Sequence, residues 1–170
     1  MKPNFSRIML SAAFCIALLS CSDDDKKDSN SNEFTVEGVT VPILEGLSEV
    51  YETQDSEKNT VYDWHIALQG DTKEKSGQVE FSLFHGEGSS LTAGTYTFDA
   101  EGLMHAFTFR SVHADTYVAA TQNAILYEQD VKSGTIKVEK SGETYTFTVD
   151  VVLEGDINIK GYYKGTLEQD

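Results

Sequence analysis

Histidine is the side chain best suited to proton transfer or metal ligation near neutral pH, and this chain carries four, His65, His85, His105 and His113. No two of them have the His-Glu-x-x-His spacing that sets two ligands on one helix face, and no cysteine follows residue 21 to join them. His85-Gly86-Glu87 ends an apolar run at a Gly/Ser-rich stretch and reads as an exposed turn rather than a ligand site. His105 and His113 bracket a strand-like run, which keeps them apart in an extended chain. The serines include no Gly-x-Ser-x-Gly elbow, and Gly86-Glu87-Gly88 lacks the strand-to-helix setting of a nucleotide loop. Asp55, Glu57, Asp71 and Glu74 have oxygens suited to calcium but not the order of an EF-hand loop, so they read as solvated loop acids. A glycosidase needs two carboxylates across a cleft, and among 28 Asp and Glu residues no spacing singles out a pair. The sequence predicts no enzyme, no cofactor and no metal site.

The aromatic residues are more informative. Tyr162 alternates with Lys160 and Lys164, and the strand register argued below turns all three outward. A tyrosine flanked by polar side chains offers an apolar ring and a hydroxyl, the combination that stacks on a sugar. The alternative is a tyrosine packed against a neighbouring loop or second sheet. Tyr117 and Tyr127 are weaker candidates of the same kind, and Trp64 belongs to an apolar face and reads as core.

The elements that position these residues are strands. Tyr62, Trp64, Ile66 and Leu68 alternate with Asp63, His65 and Ala67; Val79, Phe81 and Leu83 repeat the pattern, as do Tyr96 with Phe98 and Phe107 with Phe109. Turn-rich stretches at Asp55 to Asn59, Gln69 to Gly77 and Gly86 to Ser90 separate the runs. Ala114 to Ala124 reads as two short strands or a loop with a helical turn. A two-residue Ser141-Gly142 loop would set Lys140 against Glu143, Val138 against Tyr145 and Ile136 against Phe147. A three-residue loop over Glu154-Gly155-Asp156 sets Leu153 against Ile157, Val151 against Ile159, Phe147 against Tyr163 and Asp150 against Lys160. A slip of one residue would expose the apolar set, so this register is preferred. Gly161 and Gly165 then face Val149 and Tyr145, where a second large side chain is not expected to fit. The prediction is one all-β domain over residues 34–170, an antiparallel β-sandwich of about 9–11 strands with a three-stranded meander over Gly134–Leu167. A calycin-like β-barrel is the alternative.

The beginning of the chain supplies an address. Lys2 and Arg7 precede an uncharged apolar run from Ile8 to Ser20, too short to read as a spanning helix, which gives residues 1–20 the anatomy of a secretory signal. Leu18-Leu19-Ser20-Cys21 resembles a lipobox, which implies cleavage before Cys21 and lipid on its sulfur. Ser22-Asp23-Asp24-Asp25-Lys26-Lys27 resembles the export tag of Bacteroidota-type surface lipoproteins. Residues 21–33 hold no apolar side chain beyond the cysteine and read as a flexible tether. With Cys15 removed and Cys21 lipidated, no thiol remains for a disulfide or a nucleophile. Loss of Lys2 and Arg7 deepens the net charge from −15 to −17, which excludes nucleic acid as a partner. Leu91-Thr92-Ala93-Gly94-Thr95-Tyr96, Gly134-Thr135-Ile136 and Gly161-Tyr162-Tyr163-Lys164-Gly165 look like the strand-and-turn motifs of small all-β lipoproteins of that type. The resemblance implies a lipid-anchored outer-membrane protein, displayed at the surface. Three roles are open: a module binding glycan or another extracellular polymer, an adhesin or structural protein-interaction lipoprotein, and a small hydrophobic-ligand carrier with a hollow lined by Trp64, Phe81 and Tyr145.

Overall fold

A computed structural model describes residues 31–86, 88 and 90–169. Cys21, its signal segment and most of the tether lie outside the described residues. β1 begins at Glu33, and Asn32 is hydrogen-bonded to Lys164. Twelve strands are described: β1 Glu33–Val36, β2 Val39–Pro42, β3 Glu45–Gln54, β4 Thr60–Asp71, β5 Lys75–His85, β6 Gly94–Phe98, β7 Thr108–Val118, β8 Asn123–Tyr127, β9 Val131–Ser141, β10 Thr144–Leu153, β11 Ile157–Gly165 and β12 Glu168–Gln169. Eleven have four or more residues, and β12 has two.

They make one strongly curled mixed sheet, a half-barrel, in the order β12-β3-β4-β5-β7-β6-β9-β10-β11-β1-β2. The all-β expectation holds, and the curled sheet is consistent with a sandwich or a barrel-like fold. Pairing is antiparallel except at β6–β7 and β12–β3. β7 shares one edge between two partners, β6 near Thr108 and β8 from Ala114 onward. The stretch from Ala114 to Ala124 is thus the end of a long strand, a turn and the start of another strand. The turn is closed by Thr121 N–H donating to Val118 O at 3.2 Å and Gln122 N–H donating to Ala119 O at 3.3 Å. The curl brings β2 back toward β4 and β5, where Pro42 O lies against Gly70 and Lys75 Nζ donates to Thr40 O at 3.1 Å.

Alternation fills the concave side. Trp64, Ile66 and Leu68 of β4, Val79, Phe81 and Leu83 of β5, and Phe147, Val149 and Val151 of β10 are all buried in one cluster. Phe81 meets Phe147 with ring centroids 5.6 Å apart, which joins the two halves of the curl across the interior. Tyr145 and Tyr163 extend this contact at 6.1 and 6.4 Å from Phe147. Each fully buried side chain of this size contributes about 1.5–3 kcal/mol of transfer free energy.

The three-residue loop after β10 has the predicted register throughout, including Asp150 opposite Lys160. The hairpin before it is corrected. Its loop is Gly142-Glu143, with Ser141 paired to Thr144 and Val138 to Phe147. Gly142 has φ +62° and Glu143 does not have positive φ, as in a type II′ turn, which takes glycine as its first central residue; a Ser141-Gly142 loop of that type would put serine there. The shift keeps every side chain on its predicted face. The Gln69–Gly77 turn is also shorter than expected, with only residues 72–74 between β4 and β5. Gly70 and Gly77 are paired strand residues. An added Cβ would stand 1.8 Å from Pro42 O at Gly70 and 2.3 Å from Asp115 O at Gly77, so these glycines mark close backbone approach. Phe107 does not share the alternation of Phe109: it precedes β7 at φ +61° and lays its ring against Gly94. Gly165 lacks room because of the Tyr163 ring rather than Tyr145, and Gly161 has ordinary contact distances to Phe34 and Val149.

Candidate functional site

The convex side of β1, β10 and β11 carries an open groove with a volume of about 650 Å³. Strand periodicity sends Lys160, Tyr162 and Lys164 to this side together, and all three line it. Pairing sets Tyr162 between Thr148 of β10 and Glu33 of β1, and Lys164 beside Thr146. Tyr162 is half-buried by these neighbours, while Tyr163 turns into the core and donates to Thr166 O at 2.6 Å. Lys160 donates to the Asp150 carboxylate at 3.1 Å. Both partners are exposed, so the pair contributes at most about 1 kcal/mol and serves mainly to place two hydrogen-bonding groups. The groove therefore combines one aromatic ring, three threonine hydroxyls and charged groups of both signs, a surface able to stack on a ring and bond several hydroxyls.

The chain enters the fold at the rim of this groove. Asn32 Nδ2 donates to Lys164 O at 3.1 Å, and Lys164 N–H donates to Asn32 Oδ1 at 2.8 Å. This reciprocal clamp sets Ser31 on the groove's edge.

Other candidates are dispersed. His85 is 1% exposed, not an exposed turn: it sits opposite Tyr62 on the inner face and stacks on that ring at 5.7 Å. His105 precedes β7, and His113 lies on its exposed side. Tyr127 is buried at 5% exposure, which removes it as a stacking surface, and burial raises its phenol pKa; Tyr117 is 40% exposed. Asp55 caps its own turn, Asp71 ends β4 and Glu74 sits in the following turn. Among the described residues no three His, Cys, Asp or Glu side chains come together to hold a metal. Trp64 is core, as expected, with its Nε1 buried and unpaired.

One constellation had no signal in the sequence. On the convex face of β3 and β4, the Tyr51 hydroxyl donates to the Glu49 carboxylate, the Tyr51 ring meets His65 edge-on at 5.2 Å, and His65 Nε2 bonds Asp63 Oδ2 at 3.1 Å. The hydrogen bond to Glu49 and its negative charge raise the Tyr51 pKa. Only the β3–β4 register, Glu49 opposite His65 and Tyr51 opposite Asp63, brings these four residues together.

Comparison of the chain with family models, with curated proteins and with solved structures finds no match in any of the three.

Proposed function

We propose that this chain is a non-enzymatic lipoprotein of the outer membrane, anchored by lipid on Cys21 and displayed at the surface, whose β domain binds glycan or a similar extracellular polymer. The observation that carries the binding role is the groove that gathers Tyr162, Lys160 and Lys164 with Thr146 and Thr148. The lipobox-like Leu18-Leu19-Ser20-Cys21 supports the anchor. The carrier reading has less support, because Trp64, Phe81 and Tyr145 belong to the packed core cluster.

Affinity-gel retardation of the full chain over a panel of soluble polysaccharides tests the binding role. Tyr162→Ala is expected to weaken retardation by about tenfold in affinity; no retardation by any polymer would refute it. Metabolic labelling with a fatty-acid analogue tests the anchor, with label expected on the natural chain and lost in Cys21→Ser.

The protein-interaction reading rests on a different observation. Tyr117 and Leu126, 40% and 58% exposed, are diagonal neighbours across the β7–β8 pair and form an apolar step on the convex face. Capture of a protein partner that is lost in Leu126→Ser, with no glycan retained, would favour it.

A further inference from the structure

We propose that the concavity on the other half of the convex face, over β3, β4, β5 and β7, is a second saccharide site, one that takes a sugar unit rich in hydrogen-bond donors. The ligand class rests on reading the chain as a glycan binder; the location rests on geometry of its own. The cavity has a volume of about 350 Å³, at the lower end of the range for small-molecule sites.

Register makes the hollow. Ala67 stands between Leu47 and Glu80, and Ser82 stands opposite His65, so small side chains form the floor where four strands meet. The irregularity between Phe81 and Leu83 changes the pairing with β7, and Ser111 joins the lining there. Long side chains form the walls: Glu49 and His65 on one side, Glu80 and its cross-strand partner His113 on the other.

One wall is already fixed. Glu49 holds the Tyr51 hydroxyl, the Tyr51 ring braces His65, and Asp63 accepts from His65 Nε2–H. In the tautomer that carries its proton at Nε2, Nδ1 of His65 is an acceptor. The pocket then presents two carboxylates and an imidazole nitrogen as acceptors, with the hydroxyls of Ser82 and Ser111 able to act either way. A ligand complementary to acceptors brings donors, so neutral sugars and amino sugars fit. Uronate or sulfate groups would face Glu49 and Glu80 and be repelled. Preorganisation of this kind lowers the ordering cost of binding.

The test is titration of the isotope-labelled full chain with cellotetraose, with the glucosamine tetramer and with tetragalacturonate, read from backbone amide shifts. Amides of residues 65–67 and 80–82 are expected to move with one or both of the first two probes and not with the third. Ser82→Tyr, which fills the floor, is expected to remove those shifts, and the conservative Glu80→Gln to weaken binding by about tenfold. No movement of these amides at millimolar probe, movement mainly with tetragalacturonate, or movement unaffected by both variants overturns the proposal. Shifts confined to residues 158–164 overturn it while supporting the Tyr162 groove. Shifts confined to residues 65–82 support it and overturn that groove.

Discussion

Asp55 holds the turn between β3 and β4 with a single carboxylate. Its Oδ1 accepts from the N–H groups of Glu57 and Asn59 at 2.9 and 2.8 Å, and its Oδ2 from Asn59 Nδ2 at 2.9 Å. These bonds favour the charged form, the Asn59 side chain most, and hold the Asp55 carboxyl below the usual carboxylate range; His105 adds a smaller effect in the same direction. A carboxyl whose pKa is lowered by folding stabilises the fold above its ordinary value, and that contribution is lost as pH falls through the folded value. Asn59→Ala is therefore expected to return the Asp55 titration toward an ordinary carboxyl and to move the onset of turn loosening to higher pH. Carboxyl-carbon NMR over the acid range measures the first effect, and an unchanged titration would show that Asn59 does not set it.

Among the strands, glycines give the sharpest contrast. Gly70→Ala would drive a methyl into the Pro42 carbonyl at the point where β2 returns to β4. The backbone must shift to relieve that contact, and a loss of about 4 kcal/mol or more is expected in urea denaturation. Gly161→Ala places its methyl 3.4 Å from Phe34 Cβ and 3.6 Å from Val149 Cβ, and is expected to be neutral or to stabilise by up to about 1 kcal/mol. The same comparison shows what alternation can reveal. The β10–β11 register, the inward Tyr163 and the shared face of Lys160, Tyr162 and Lys164 follow from local pattern, because only one register buries the apolar set. Gly70 and Gly77 resemble turn residues until the distant Pro42 and Asp115 carbonyls are in place. The parallel β6–β7 contact, the buried position of His85 and the pocket built from residues 47 to 113 likewise depend on which strands become neighbours. No periodicity carries that information.

At the scale of the molecule, the curl is held where its edges return. Lys75 reaches from β5 to the Thr40 carbonyl of β2, beyond the pairing that β2 makes with β1. Lys75→Ala is expected to speed hydrogen exchange at the amides of Val39 to Val41 while leaving those of the core strands β5 and β10 unchanged. Faster exchange throughout the sheet would instead make this contact part of global stability.

The Asn32 clamp also determines how the molecule bears mechanical load. Glu33, next to the clamp, is the cross-strand partner of Tyr162 in the middle of the groove. Tension applied between the chain at Ser31 and a polymer seated on Tyr162 therefore passes through the short β1–β11 ladder and the two Asn32–Lys164 bonds. The Phe81–Phe147 contact and the strands from β3 to β9 lie off that line of force. Drag on a polymer seated there would load this one strand pair first, and with it the Phe34, Val36 and Ile159 side chains that the pair gives to the core.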